Sequence, residues 1–291
     1  MKATFGLKPI GLRGPLFFQR ILLITWGMWG KLPICPTRWP RILRRYLSAM
    51  QQSCDTVTLY DRTRRRLREV LTGRLPGDIG LENILTSYAY WVCTSVTRRG
   101  ADWEETLREY ADIALRRAAD ESEAERREIA LLRRELMRAR GPLLDVGAGW
   151  GRLAPLYDEL GLQAVYVEPA TLGTQLMRRS GLSHVVRSVG EALPFADSTF
   201  RTTVIGWVLH HDDSPDVDAV GIVGEVARVT GPGGMLLSVE PLGERFDREK
   251  WTGLLTEAGF EVSAVERFFE MQTSRGESEH HALAVGTRRA S

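Results

Sequence analysis

The chain has 291 residues, 43% of them hydrophobic, which is enough to bury a substantial core in one large domain or two. Its three cysteines are odd in number and lack metal-ligand spacing, which argues against a disulfide framework and against a cysteine metal site. No stretch reaches the ~18 uninterrupted apolar residues that would cross a bilayer. We therefore expect a cytoplasmic protein without a bound metal.

The net charge of +2 conceals an uneven distribution along the chain. Residues 1–75 carry 15 Lys or Arg against three acidic residues, and the remainder is net negative. This basic region is consistent with the solvated face of a helical cap, or with a surface for an anionic partner such as a phosphorylated substrate, RNA or a membrane surface. An organellar transit peptide is a third interpretation, although the segment is poor in serine and carries several prolines.

The first 140 residues are predicted to be helical, because apolar residues recur there at helical spacing. Helices are predicted over Leu16–Met28, Trp39–Met50, Val57–Leu71 and Leu81–Val96. The charged stretch that follows contains two capping-box patterns, one starting at Asp102 and one at Ser122, and therefore predicts two helices rather than one. Gly141-Pro142 ends the helical region.

The most informative segment begins where the helices end. An apolar strand carrying Asp145 leads into glycines at 147, 149 and 151, and a helix is predicted to begin near Trp150. Without Cβ atoms the glycines allow a tight turn and let a ligand lie against the backbone, while the helix directs its free N–H groups at that ligand. A second strand ends in Glu168, which is placed to accept hydrogen bonds from a ribose diol. The pattern indicates a site for a nucleoside-containing cofactor.

The spacing of this segment distinguishes between cofactors. It reads D-x-G-x-G-x-G, whereas the dinucleotide fingerprint is G-x-G-x-x-G and is built for pyrophosphate. Asp145 would repel phosphates but suits a cofactor whose tail carries an ammonium group. The segment resembles motif I of the class I S-adenosylmethionine-dependent methyltransferases, with Glu168 as the ribose-binding acid of motif II. This resemblance implies a methyltransferase whose cofactor is S-adenosyl-L-methionine.

The order of the later segments strengthens the resemblance. These segments are A-L-P-F (192–195), L-H-H (209–211), E-V-A-R-V (225–229), G-P-G-G (231–234) and T-E-A-G-F (256–260). Over about residues 141–288 the chain resembles the subgroup that includes the ubiquinone and menaquinone C-methyltransferases. Alternating strands and helices predict an α/β fold with a mostly parallel sheet covered on both faces. The resemblance implies a Rossmann-like seven-stranded sheet, whose last strand, predicted over His281–Thr287, inserts antiparallel between its neighbours.

Two positions depart from the subgroup's pattern. Ser188-Val189-Gly190 stand where the family often has G-D-A, whose acid reaches the adenine amine, so Glu191 or backbone groups must hold the adenine here. Arg201 replaces the acid that commonly opens the fourth strand. The cofactor-binding residues predicted for this chain are Asp145, Gly147, Ala148, Gly149, Gly151, Glu168, Pro169, Glu191, Ala192 and Trp207.

Two histidines are the candidate catalytic residues. His210 and His211 follow the fourth strand, at the edge where open α/β sheets bind ligands. A neutral imidazole there can accept a proton from a hydroxyl, a phenol or a carbon acid. The alternative is that the pair packs against or caps the next helix.

These observations predict a methyltransferase acting on a small molecule, with residues 1–140 as the acceptor-binding cap and 141–291 as the cofactor-binding domain. Aromatic residues of the cap favour an apolar or aromatic acceptor; they are Trp26, Trp29, Trp39, Tyr88, Tyr90 and Trp91. One alternative is an RNA methyltransferase that uses the basic N-terminal region. Another is a cyclase or a non-catalytic subunit that binds S-adenosylmethionine without transferring its methyl group. Peripheral membrane association and organellar targeting stay open beside the cytoplasmic location.

Overall fold

A computed structural model describes residues 56–77, 79–212, 214, 217–272 and 278–290. The predicted helices Leu16–Met28 and Trp39–Met50 lie outside the described residues, as do Trp26, Trp29 and Trp39. All described residues fall within one compact unit, Ala49–Ser291. In the described part of the chain, three helices precede a region in which strands and helices alternate.

A seven-stranded sheet forms the centre of this alternating region. Its strands are β1 (Leu143–Val146), β2 (Ala164–Val167), β3 (Val185–Val186), β4 (Phe200–Gly206), β5 (Thr230–Leu242), β6 (Phe260–Gln272) and β7 (Ser278–Arg288). Their order across the sheet is β3-β2-β1-β4-β5-β7-β6. Strands β1 to β5 pair in parallel, whereas β7 runs antiparallel to both of its neighbours, β5 and β6. The predicted fold class and the insertion of the last strand are confirmed.

Helices cover both faces of the sheet, as expected for strands as apolar as β1, whose four residues are all buried. On one face, Ile222, Val226 and Trp251 pack against the sheet from two helices. On the other, Leu132, Leu156 and Tyr157 do so. The helices of the alternating region are α4 (Ala154–Glu159), α5 (Thr171–Arg179), α6 (Ala219–Val229) and α7 (Arg248–Glu257).

The three preceding helices are α1 (Thr56–Leu71), α2 (Leu81–Arg99) and α3 (Trp103–Leu136). Asp102 caps α3 as predicted, since its side chain accepts a hydrogen bond from the Glu105 N–H at 2.8 Å. The prediction of a second helix starting at Ser122 is wrong, because α3 continues through that residue for 34 residues in all. A stripe of buried residues, including Ala118, Ala124 and Leu132, runs along α3 past Ser122. Tertiary burial of this stripe outweighs the local capping pattern.

The helices α1 and α2 share a core with the alternating region. Leu67, Leu85 and Tyr88 are fully buried and belong to the same cluster as Leu172 and Leu176 of α5. Helix α3 contributes Leu132 to the core beneath the sheet. The division into a cap and a cofactor domain at residue 140 stays a prediction. No helix of the described residues is long and apolar enough to cross a membrane.

Candidate active site

The glycine-rich segment leaves β1 as a turn that is longer than the sequence indicated. Residues 147–153 form turns, and the helix begins at Ala154 rather than near Trp150. Gly147, Gly149 and Gly151 all have positive φ angles, of 76°, 58° and 84°. That backbone conformation is costly for residues with a Cβ atom, so the turn requires its glycines.

The three glycines face different surroundings. A Cβ atom on Gly147 would lie 2.4 Å from Cγ2 of Val208, and one on Gly151 would lie 2.9 Å from Cδ1 of Leu182. A Cβ atom on Gly149 would meet none of the described residues within 4 Å. Gly147 and Gly151 are therefore required by packing as well, whereas the Cβ side of the half-buried Gly149 leaves room for a ligand. This space beside the turn fits the nucleoside-containing cofactor that the sequence predicts.

Glu168 lies beside this turn, at the end of β2. It is 4% exposed, and its carboxylate accepts hydrogen bonds from the N–H groups of Gly149 at 2.9 Å and Ala170 at 2.8 Å. The hydroxyl of Tyr90 lies 3.4 Å from the same carboxylate. Burial raises the pKa of Glu168, and these donors oppose the shift. Pro169 follows as a half-buried bend residue before α5.

Gly173 of α5 was missed by the sequence analysis. A Cβ atom there would lie 2.4 Å from the carbonyl oxygen of Gly149 and 2.7 Å from Cγ of Glu168. Only glycine lets α5 approach the turn this closely. A glycine five residues after the strand-end acid was the available signal.

Asp145 is buried beneath the turn, with 3% of its surface exposed. The hydroxyl of Tyr157 on α4 donates a hydrogen bond to its carboxylate at 3.1 Å. Burial raises the pKa of Asp145 to about 7, against the lowering effect of that hydrogen bond. Near neutral pH the carboxyl group is therefore divided between its neutral and charged forms.

On the other side of the turn, β4 ends next to a buried ion pair that the sequence did not reveal. Arg152 donates to Glu128 of α3 at 2.6 and 3.2 Å, and the indole N–H of Trp207 donates to the same carboxylate at 3.3 Å. Glu128 is 2% exposed. Trp207 has a φ angle of 61°, a left-handed conformation that is rare for a bulky side chain.

The segment predicted to hold the adenine is folded against α6. The carboxylate of Glu191 accepts a hydrogen bond from the N–H of Asp218 at 3.2 Å. Ala192 donates its N–H to the carbonyl of Val189, and its own carbonyl accepts from the hydroxyl of Ser188. These bonds fix the position of the segment, and its role with adenine stays a prediction.

The two candidate catalytic histidines lie in a short 3-10 turn, Leu209–His211, after β4. Glu240, at the end of β5 and fully buried, accepts the N–H groups of Leu209 and His210 at 2.9 and 3.3 Å. Nδ1 of His210 lies 2.8 Å from the same carboxylate. A neutral His210 therefore carries its proton on Nδ1 and leaves Nε2 as an acceptor. The ring of His211 lies 3.8 Å from that of His210.

The aromatic residues of α2 pack onto the glycine-rich turn itself. The rings of Tyr90 and Trp91 lie 5.0 and 6.5 Å from the ring of Trp150, which stands between two of the glycines. Tyr88 is fully buried and donates to Glu121 at 2.7 Å. Tyr90 and Trp91 thus border the cofactor side of the candidate site, and Tyr88 belongs to the core.

Among the described residues, no group of three or more His, Cys, Asp or Glu could hold a metal ion. Cys93 is a buried free thiol, and burial raises its pKa to about 11. Cys35 and Cys54 lie outside the described residues. Buried thiols with a raised pKa are poor nucleophiles at neutral pH.

Comparison with known proteins assigns the part of the chain that carries these features. Residues 144–238 match the family described as a methyltransferase domain. Two curated relatives, both uncharacterized methyltransferases of Mycobacterium leprae (strains Br4923 and TN), are 34% identical over 100 residues, which are 33% of this chain. The matched segment spans only about a third of these relatives, 35% of their length.

Three solved structures are similar to part of this chain at lower identity. A SAM-dependent methyltransferase from Methanosarcina mazei is 17% identical, with a TM-score of 0.48 over 54% of this chain and 97% of that one. A geranyl diphosphate C-methyltransferase from Streptomyces coelicolor is 13% identical, with a TM-score of 0.46 over 55% and 76%. The [4+2]-cyclase SpnF is 17% identical, with a TM-score of 0.47 over 60% and 83%.

The glycine-rich turn and the strand-end acid lie within this match. Residues 144–238 form a methyltransferase domain, which agrees with the methyltransferase resemblance of the sequence.

Proposed function

We propose that this protein transfers the methyl group of S-adenosyl-L-methionine to a small-molecule acceptor in the cytoplasm. The observation that carries the proposal is the open space on the Cβ side of Gly149, next to the buried carboxylate of Glu168. A ligand lying against this backbone has a ribose-binding acid within reach at the end of β2. When bound, the cofactor supplies a methyl group activated by its sulfonium.

The residues of the turn and of the neighbouring strand ends would hold the cofactor. The backbone from Gly147 through Ala148 and Gly149 to Gly151 would line it, and Glu168 with Pro169 would border the ribose. Glu191 and Ala192 are proposed for the adenine, and Asp145 and Trp207 for the tail. Buried side chains around Glu168 exclude water, which strengthens each polar contact with the ligand.

His210 and His211 are proposed to lie on the acceptor side. Glu240 holds the ring of His210 at 2.8 Å and leaves Nε2 to accept a proton from the acceptor. The ring of His211 lies beside it, tilted by 41°, and is the alternative base that the sequence favours for this role. Methyl transfer to a good nucleophile needs positioning more than proton removal.

The charges of α1 support a small-molecule acceptor over RNA. Arg64 and Arg68 both pair with Glu82, and Arg66 pairs with Glu69. These arginines are thus partly neutralised within the protein, which weakens the field available to a phosphate backbone. A small apolar or aromatic acceptor, bound with the help of the helical region, is the proposal that we carry forward.

The test is a transfer assay with methyl-labelled S-adenosylmethionine and two acceptor pools, a small-molecule extract and total RNA. We expect S-adenosylhomocysteine to form only with the extract, and label to appear in a compound soluble in organic solvent. Label in RNA would contradict the small-molecule acceptor and favour the RNA alternative. Tight cofactor binding without label transfer to any pool would contradict methyl transfer and favour the cyclase or non-catalytic alternative.

A further inference from the structure

The ion pair between Arg152 and Glu128 joins a buried carboxylate to a guanidinium whose side chain is 21% exposed. Burying two charges costs several kcal/mol per ion unless geometry and further hydrogen bonds compensate. Glu128, which is 2% exposed, receives two hydrogen bonds from Arg152 and one from Trp207. A second acid, Glu125, lies 3.9 Å from Arg152. Three charged side chains thus lie together at a position where a hydrophobic core would contain apolar residues.

The order of the strands places this pair relative to the cofactor. Glu168 lies at the end of β2, the glycine-rich turn at the end of β1, and Trp207 just after β4. Because β1 lies between β2 and β4, a ligand along the turn has its ribose near Glu168 and its other end near Trp207. A guanidinium nitrogen of Arg152 lies 4.0 Å from where a Cβ atom on Gly206 would stand, over the end of β4. The ion pair therefore lies at the end of the site opposite the ribose.

The ion pair has donors and an acceptor that are not used within the protein, and these suit a zwitterionic ligand group. A guanidinium has five N–H donors in a planar fork suited to carboxylates, and Arg152 directs two of them at Glu128. One oxygen of Glu128 accepts only a single bond, from Arg152 at 2.6 Å, and has a lone pair left. A ligand group that carries both a carboxylate and an ammonium can bind the remaining donors of Arg152 through its carboxylate and the free lone pair of Glu128 through its ammonium.

We propose that Arg152 and Glu128 form the subsite for the amino-acid tail of the cofactor, with the guanidinium binding the α-carboxylate and Glu128 binding the α-ammonium. This inference rests on the proposed function. It moves the ammonium contact away from Asp145, whose carboxyl group already accepts a hydrogen bond from Tyr157 beneath the turn. The helix α3, outside the matched methyltransferase segment, then supplies a cofactor-binding residue.

The test compares two ligands that share adenosine and differ in the tail. S-adenosylhomocysteine carries the amino-acid group, and 5′-methylthioadenosine does not. Titration calorimetry is done on the full chain, on Glu128→Gln and on Arg152→Lys. A charge-assisted hydrogen bond contributes about 1.5–3 kcal/mol, so we expect each variant to bind S-adenosylhomocysteine roughly 10- to 100-fold more weakly. Binding of methylthioadenosine should change less than about twofold, because it has no amino-acid group to contact Arg152 or Glu128.

The matched controls are Glu159→Gln and Arg133→Lys, which alter an exposed ion pair that also involves α3. They should leave both affinities unchanged. If the Glu128 and Arg152 variants weaken both ligands equally, or neither, the pair only ties α3 to the turn and the inference is overturned. If the wild-type protein binds neither ligand, the proposed function itself fails, which is a distinguishable result. Arg152→Lys retains a positive charge and keeps the test decisive should Glu128→Gln not fold.

Discussion

Two buried carboxylates border the glycine-rich turn from opposite directions, and they are stabilised differently. Glu168 lies at a strand end and is held by backbone N–H groups of the turn and of the next residues. Glu128 lies on α3, 24 residues before Arg152 in the chain, and is held by the guanidinium of Arg152 and the indole of Trp207. The strand end of the site, at Glu168, is therefore built by local backbone geometry, and the helix end, at Glu128, by the packing of α3.

This difference determines whether a substitution at either end lowers the stability of the fold or the affinity for the ligand. Removing Glu168 leaves neutral N–H groups without partners, which a ligand or water can satisfy. Removing Glu128 leaves Arg152 with its strongest partner gone. We therefore expect the helix end to be more important for folding than the strand end, while both ends contribute to ligand binding.

The largest expected effect is on the free energy of unfolding of Glu128→Ala. Loss of one partner from a buried ion pair leaves an uncompensated charge and costs about 3–5 kcal/mol. Urea denaturation followed by circular dichroism measures the change. Glu159→Ala, which breaks the exposed pair with Arg133, should leave the denaturation midpoint unchanged. Equal effects of the two substitutions would show that burial of the Glu128 pair has no energetic consequence.

The pH dependence of stability tests the acid beneath the turn. Because burial raises the pKa of Asp145 to about 7, the folded state binds a proton that the unfolded state releases near pH 4. This contribution is fully present below about pH 4 and is lost as the pH rises through 7. Asp145→Asn keeps the side chain neutral, so it should be more stable than wild type at pH 8, by on the order of 4 kcal/mol. At pH 4 the two proteins should be equally stable, and a difference that is the same at both pH values would contradict the raised pKa.

The strand end, at Glu168, is disturbed most directly at Gly173. An added Cβ atom would collide with the carbonyl of Gly149 and with Glu168. Overpacking of this kind costs about 1–3 kcal/mol. Gly173→Ala should therefore weaken S-adenosylhomocysteine binding by up to roughly 100-fold. Gly224→Ala is the control, since this glycine also lies in a helix and a Cβ atom there meets none of the described residues within 4 Å. The control should bind normally, and normal binding by both variants would refute the close packing of α5 on the turn.

The smallest expected effect is at His211. If positioning drives the reaction, His211→Ala lowers kcat by less than about tenfold with the acceptor that the transfer assay identifies. A general base contributes about 10²–10⁴-fold, so a loss of that size would show that His211 removes a proton. Cofactor affinity should stay unchanged in either case, because the histidine turn lies outside the glycine-rich loop.

The sequence predicted the fold, and the position of Glu168 beside the glycine-rich turn, because both depend on short segments. The run from Asp145 to Glu168 contains the turn, the acid and their spacing, and the later segments fix the order of the sheet. The site's remaining carboxylates depend on contacts that no local pattern encodes. Glu128 lies 24 residues from Arg152, and Glu240 lies 30 residues from His210.

A prediction from a local pattern was wrong where tertiary packing favoured a different structure. Ser122 with Glu125 is a sound capping box, yet the buried stripe of α3 continues through it. The Tyr90 hydroxyl lies 3.4 Å from Glu168 although 78 residues separate them. Of the aromatic residues of α2, Tyr90 and Trp91 pack on the turn and Tyr88 in the core, and their role in acceptor binding stays a prediction.

The central claim is that the turn and Glu168 bind S-adenosylmethionine. Titration calorimetry with S-adenosylhomocysteine and NAD, on wild type and Glu168→Ala, tests it directly. We expect wild type to bind S-adenosylhomocysteine and not NAD. We expect Glu168→Ala to bind it at least tenfold more weakly, because a charge-assisted hydrogen bond of about 1.5–3 kcal/mol is lost. Binding of NAD, or unchanged affinity in Glu168→Ala, would contradict the claim.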